Sequence, residues 1–139
     1  MDDPIENRND YREVLADEDL EQATRQLVRL AIHEDLGRSF DWTTVCLIQP
    51  DQSGSCSVVA REGGTAAGLV TVPWILSEFE ADLLAECLLE DGSTFESGQE
   101  LIRLRGNVRD LLTAERTILN LISRLCGIAT LTARYVAEM

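Results

Sequence analysis

Lysine is absent from this 139-residue chain, and its 12 basic residues are all arginines. That absence excludes a Schiff-base nucleophile, a phosphate-loop lysine, and a carrier side chain for lipoate or biotin. Histidine occurs once, at His33, so a Ser-His-Asp triad or a multi-histidine metal site has almost nothing to build on. Aromatic residues make up only 5% of the chain against 45% hydrophobic residues overall, so the core must be aliphatic. The cysteines Cys46, Cys56, Cys87 and Cys126 contain no Cys-x-x-Cys pair, which removes zinc-ribbon and dithiol redox motifs. They are expected to be buried free thiols in a reducing compartment. No apolar run approaches the ~20 residues that span a bilayer. The N-terminus, MDDPIENRND, is acidic where a secretory signal would be basic and then apolar. The expected location is the cytoplasm, with no membrane partner.

What is present is acid, unevenly spread. The chain carries 25 acidic residues and a net charge of -13, which argues against nucleic-acid binding by bulk electrostatics. Residues 1–100 hold 22 acidic and 6 basic residues, whereas residues 101–139 hold 3 acidic residues and 6 arginines. Half the arginines thus fall in the last 39 residues, a pattern that fits an anion site or, equally, a solvated or intersubunit salt-bridge face.

The patterning predicts an α+β domain of mixed helices and a small antiparallel sheet. Residues 1–19 read as an acidic arm and 20–139 as the domain. Leu20, Ala23, Leu27, Leu30 and Ala31 recur at helical steps, and Gly37 offers a left-handed stop. Phe40 to Gly54 reads as loop and turn. A strand is expected over Cys56–Arg61, turning at Glu62-Gly63-Gly64 so that Thr65–Gly68 returns alongside it. Pro73 marks a first helical turn, and Ala85–Glu90 and Glu100–Arg105 are strand candidates separated by turns at Asp91-Gly92 and Ser97-Gly98. Val108 to Cys126 predicts a helix that Gly127 breaks, with a second helix from Ile128.

The helix after Val108 carries the most chemistry. Leu111, Leu112, Ile118, Leu119, Ile122 and Leu125 form an apolar stripe, while Thr113, Arg116, Thr117, Asn120 and Arg124 fall on a second face. Guanidinium forks grip carboxylate or phosphate oxygens in pairs, and Asn120, one turn from Arg116, can orient it or bond a neighbouring backbone group. Arg124 and Arg134 read as interface arginines. Arg103 and Arg105 alternate with Ile102 and Leu104 on one strand face. His33, Glu34 and Asp35 read as helix-end surface or interface groups. Trp74 and Phe79 read as core or interface fillers. The acidic residues Glu78, Glu80, Asp82, Glu86, Glu90 and Asp91 read as a solvated surface.

The run Leu112-Thr113-Ala114-Glu115-Arg116-Thr117-Ile118-Leu119-Asn120-Leu121, followed by Cys126-Gly127-Ile128-Ala129-Thr130, closely resembles the N-terminal domain of the quinolinate phosphoribosyltransferase family. Glu34-Asp35-Leu36-Gly37 with Asp41 and Thr43-Thr44, Ala60-Arg61-Glu62 with Ala67-Gly68-Leu69, and the Asp91-Gly92, Gly98 and Arg105-Gly106 turns follow the family's order. The resemblance implies a nicotinate-nucleotide diphosphorylase (carboxylating). Such an enzyme converts quinolinate and phosphoribosyl pyrophosphate to nicotinate mononucleotide, pyrophosphate and CO2 in NAD synthesis, with Mg2+ assisting. It further implies a homodimer or higher homo-oligomer in which Arg116, supported by Thr113 and Asn120, reaches quinolinate in the partner subunit. The C-terminal α/β barrel, with the catalytic residues and magnesium ligands, is expected to be missing here, leaving a domain inactive alone. A molybdenum-transport-associated paralogue and a non-catalytic dimerisation module are the alternative expectations.

Overall fold

Asp17 starts the first helix: its carboxylate accepts the Leu20 N–H at 2.9 Å, and Glu18, Asp19 and Glu21 complement the positive helix end. This helix, α1 (Glu18–Leu36), closes at Gly37 as expected, with its N–H on the His33 carbonyl and φ at 54°, but ψ at -124° takes the glycine out of the left-handed helical region. The computed structural model describes residues 16–37 and 42–139. Most of the acidic arm, with Phe40 and Asp41, therefore lies outside the described residues. The inner face of α1 is turned from the expected stripe. Thr24 and Val28 are buried with Ile32 beside them, whereas Leu27 and Leu30 are exposed. Arg25 and Arg29, each one position beyond those buried residues, both bind Glu78.

The segment expected to be loop contains a short helix, α2 (Trp42–Leu47). A helix of 6 residues has negligible stability of its own. Its C-terminal end is capped from a distance: Arg109 donates from Nε and Nη2 to the Ile48 carbonyl and from Nη2 to the Val45 carbonyl. A guanidinium at a helix C-terminus meets both the free carbonyls and the negative dipole end.

Strand β1 (Ser53–Val59) does not form the predicted hairpin. It pairs antiparallel with β5 (Glu100–Asn107), which pairs on its other edge with β3 (Leu83–Cys87), giving the order β1-β5-β3. The returning segment instead forms β2 (Gly64–Thr65), paired with β4 (Thr94–Phe95) in a separate two-stranded ladder. A 3-10 turn over Leu69–Thr71 leads into α3 (Val72–Glu78), with Pro73 in its first turn as expected.

One helix, α4 (Val108–Ala137), runs for 30 residues straight through Gly127. A mid-helix glycine costs about 1 kcal/mol relative to alanine, which tertiary contacts offset here. Thr130 Oγ1 accepts the Thr65 N–H at 2.8 Å while donating to the Cys126 carbonyl, and Cys126 Sγ accepts the Ala67 N–H. These bonds hold the helix against the β2 segment on both sides of Gly127. Gly68 permits the close approach, since a Cβ there would lie 2.3 Å from Leu125 Cδ1. The core lies between α4 and the sheet: Leu111, Ala114, Ile118 and Ile122 meet Ile102 and Leu104, with Ile75, Val72 and Leu69 closing one end. Within the expected stripe Leu112 is exposed, and Ala114 and Thr117 take the inward positions.

Candidate functional site

The polar face of α4 starts at its cap, where Asn107 Oδ1 accepts the Arg109 N–H at 2.8 Å. The arginines along it are not equivalent. Arg109 is committed to capping α2. Arg116, two turns on, keeps 75% of its side chain exposed, and its Nη1 stands 3.5 Å from Asp35 Oδ1 near the end of α1. Arg124 and Arg134 are exposed and form no ion pair among the described residues. The remaining arginines of the C-terminal third lie on β5. Arg103 bridges Glu86 at 3.3 Å and Glu100 at 2.5 Å, and Arg105 is exposed on the same outer face, as the alternation predicts.

The groups placed beside Arg116 by sequence divide. Thr113 is half-buried, and its hydroxyl donates to the Arg109 carbonyl at 2.8 Å, so it faces any ligand as an acceptor. Thr117 is buried in the core side of α4 and leaves the polar face altogether. Asn120 is exposed, with no hydrogen bond to Arg116 among the described residues. Asp35 is the neighbour that helical spacing did not bring to Arg116. It belongs to a helix 81 positions earlier in the chain, and only the packing of α1 near α4 joins them.

Two expectations about side chains are corrected. Glu78 is not a solvated acid: its side chain is only 10% exposed and takes Arg25 at 2.8 Å and Arg29 at 2.6 Å. Arg29, then Arg25, hold its carboxyl below the ordinary glutamate value. Among the cysteines only Cys126 is buried, while Cys46, Cys56 and Cys87 are exposed free thiols. The sulfur of Cys87 still reaches the Leu69 carbonyl, and partial burial pushes both the Cys56 and Cys87 thiols up. His33 lies exposed at the end of α1, and Trp74 and Phe79 are half-buried, as expected.

Two grooves flank α4. One of about 310 Å³ lies between β1 and the first half of the helix, lined by Cys56, Val58, Leu111, Leu112 and Glu115. Another of about 730 Å³ follows the second half, with Val59, Ile122 and Leu131 along it and Arg61 and Arg134 among its charged groups. Neither includes Arg116, which stands on an open surface. Arg116 is therefore a cation that neither groove encloses. Among the described residues no three His, Cys, Asp or Glu side chains gather where they would hold a metal ion. No described helix is long and apolar enough to cross a membrane.

The chain is similar to known proteins in sequence and in fold. The family model for the quinolinate phosphoribosyl transferase N-terminal domain matches residues 41–126. The chain is 40% identical over 116 residues to the nicotinate-nucleotide pyrophosphorylase [carboxylating] of Mycobacterium leprae, covering 82% of this chain and 41% of that protein. It is 32% identical over 108 residues to the chloroplastic nicotinate-nucleotide pyrophosphorylase [carboxylating] of Arabidopsis thaliana, covering 78% of this chain and 31% of that protein. Among solved structures, the nicotinate-nucleotide pyrophosphorylase of Francisella tularensis superposes with a TM-score of 0.77 at 29% identity, covering 84% of this chain and 41% of that one. NadC from Streptococcus pyogenes gives 0.77 at 31% identity, with 84% and 42% covered. The chain thus spans less than half the length of these relatives. It belongs to the quinolinate phosphoribosyl transferase N-terminal domain family.

Proposed function

We propose that this chain is the N-terminal domain of an enzyme that joins quinolinate to the phosphoribosyl group of phosphoribosyl pyrophosphate. Pyrophosphate and CO2 leave, and nicotinate mononucleotide remains. The observation that carries the reading is Arg116: an open guanidinium on a rigid 30-residue helix, weakly paired and outside both grooves of its own chain. A cation so placed is suited to a ligand held mainly by another surface. In this reading that surface is the barrel of a partner subunit in a homodimer or larger homo-oligomer.

Quinolinate carries two adjacent carboxylates on a small ring, and removing them from water requires cationic forks in return. Arg116 supplies one such fork, with Thr113 and Asn120 on the same face as supporting groups. Its part is positioning and charge neutralisation before transfer, not proton transfer. The Mg2+ that would assist pyrophosphate departure belongs in this reading to the barrel, and it enters no step assigned to this chain. The free thiols support a reducing, cytoplasmic setting.

The test is Arg116→Ala and Arg116→Lys in the protein that turns over quinolinate. Losing a charge-assisted fork lowers kcat/KM for quinolinate about 10- to 100-fold, with the KM for phosphoribosyl pyrophosphate nearly unchanged. Lysine restores charge without the fork and recovers only part of the loss. A quinolinate kcat/KM in Arg116→Ala close to that of the unmodified protein refutes the assignment.

A further inference from the structure

We propose that Asp35 is a positioning residue for Arg116, holding one guanidinium nitrogen so that the rest of the fork faces a carboxylate ligand. The inference rests on the reading of Arg116 as a substrate contact, and adds to it a residue on a different helix. Three observations converge on it.

The first is geometric. Asp35 Oδ1 approaches only Nη1, at 3.5 Å, and among the described residues neither Nε nor Nη2 of Arg116 has a hydrogen-bond partner. The edge of the fork that grips a carboxylate in two bonds, Nε with Nη2, is therefore left open by the described residues. The second is the contrast in exposure. The Arg116 side chain is 75% exposed and that of Asp35 29%, so the carboxylate is the more sheltered partner. A long arginine side chain has many rotamers to lose on binding, and an anion on a neighbouring helix favours some of them beforehand.

The third is the position of Asp35 in α1. It lies next to the last residue of the helix, beside Glu34 and just before the Gly37 cap. An acid there meets the negative end of the helix dipole, so helix stability argues against it. Its contact with Arg116 gives the acid a role at that position. An exposed, single-contact pair is weak, whereas a forked bond to a dicarboxylate is strong. Asp35 therefore orients Arg116 and does not outcompete the ligand.

Modification of arginines by phenylglyoxal, resolved by peptide mass spectrometry on the full chain, compares the unmodified protein with Asp35→Asn. The variant raises the rate at Arg116 about threefold, as loss of one weak exposed pair allows, and leaves Arg124 unchanged. High salt removes the difference by screening the pair. The Tm of the variant is no lower than that of the parent, because an acid has left a helix C-terminus. An unchanged Arg116 rate overturns the tether whatever Arg116 binds, and a lower Tm without a reactivity change shows a structural pair instead.

The quinolinate assay supplies the second arm. Asp35→Asn raises the quinolinate KM about threefold with kcat held, and Asp35→Glu recovers part of it. A lower KM in Asp35→Asn makes Asp35 a competitor for Arg116 and overturns positioning. If Arg116→Ala leaves the quinolinate KM unmoved, the substrate reading has failed, and the reactivity result still decides the tether by itself.

Discussion

Alanine at three glycines separates three physical costs within one fold. Gly106 lies in the central strand opposite Gly54 and Leu83, with φ at 149°. A Cβ there would stand 2.2 Å from the Asp82 carbonyl oxygen and 2.9 Å from Leu83 Cδ2. The backbone conformation alone costs about 1–3 kcal/mol for a residue with a side chain. Opening the contact by roughly 1 Å, toward ordinary van der Waals separation, also pulls β3 from β5. It strains the Asn107 N–H to Asp82 carbonyl bond at 3.4 Å and the Asp82 N–H to Asp110 Oδ2 bond at 2.9 Å. The combined loss for Gly106→Ala is about 3–5 kcal/mol, a large part of a domain's stability. Gly92 has φ at 89° but nothing within 4 Å of its would-be Cβ, so Gly92→Ala costs only the conformation, about 1–2 kcal/mol. Gly127 is helical and also open, so Gly127→Ala stabilises by about 0.5–1 kcal/mol. Urea unfolding with a constant m-value reads all three. A Gly106→Ala stability within 1 kcal/mol of Gly92→Ala refutes the close approach of β3 to β5, where ~1 kcal/mol is the size of the smaller effect. Destabilisation by Gly127→Ala would mean that the helix does break there.

Three further perturbations probe contacts that join distant parts of the chain. Removing the Arg109 guanidinium with Arg109→Ala uncaps α2 and costs about 1.5–3 kcal/mol, and hydrogen exchange at the Ile48 amide accelerates more than exchange in β5. Glu78 has its carboxyl lowered by Arg29 and Arg25, so its stabilising contribution is complete above the ordinary glutamate value, about 4.3, and is lost as pH falls through the lowered one. Glu78→Gln is accordingly less stable than the parent at pH 7, and the difference narrows on acid titration followed by circular dichroism. A pH-independent difference refutes the charge pairing. Thiol titration of the native chain modifies Cys46, Cys56 and Cys87, and Cys126 reacts only on unfolding.

Local signals predicted the parts of this fold that local chemistry decides. Gly37 ends α1, Pro73 opens α3, and Gly92 and Gly98 turn with positive φ, a conformation open to glycine without a steric cost. The hairpin signal at Gly63-Gly64 failed because pairing is settled by which face can be buried. Val58 opposite Ile102 on β5 packs against the core, whereas the returning strand is only Gly64–Thr65. The α2 segment has the local pattern of a loop for the same reason: nothing within Trp42–Leu47 shows that Arg109, more than 60 positions later, donates to the carbonyls at its end. Glycine propensity favours a break at Gly127, but propensity is a weak prior, and the Thr130 and Cys126 bonds to the β2 segment override it.

The candidate site shows the same division between what a helix face displays and what packing adds to it. Arg116 is identifiable from one stretch of sequence, because its motif lies wholly within α4. Its charge pattern alone does not identify it, since the arginines of the last third serve different ends. Arg103 is paired across the sheet and Arg109 caps a helix, while Arg105, Arg124 and Arg134 have no ion pair among the described residues. Arg116 differs from all of them in having one weak partner from another element and an open fork edge. That combination keeps a cation oriented without neutralising it, and it depends on an acid at the wrong end of α1 that periodicity alone would count as a helix-end surface group.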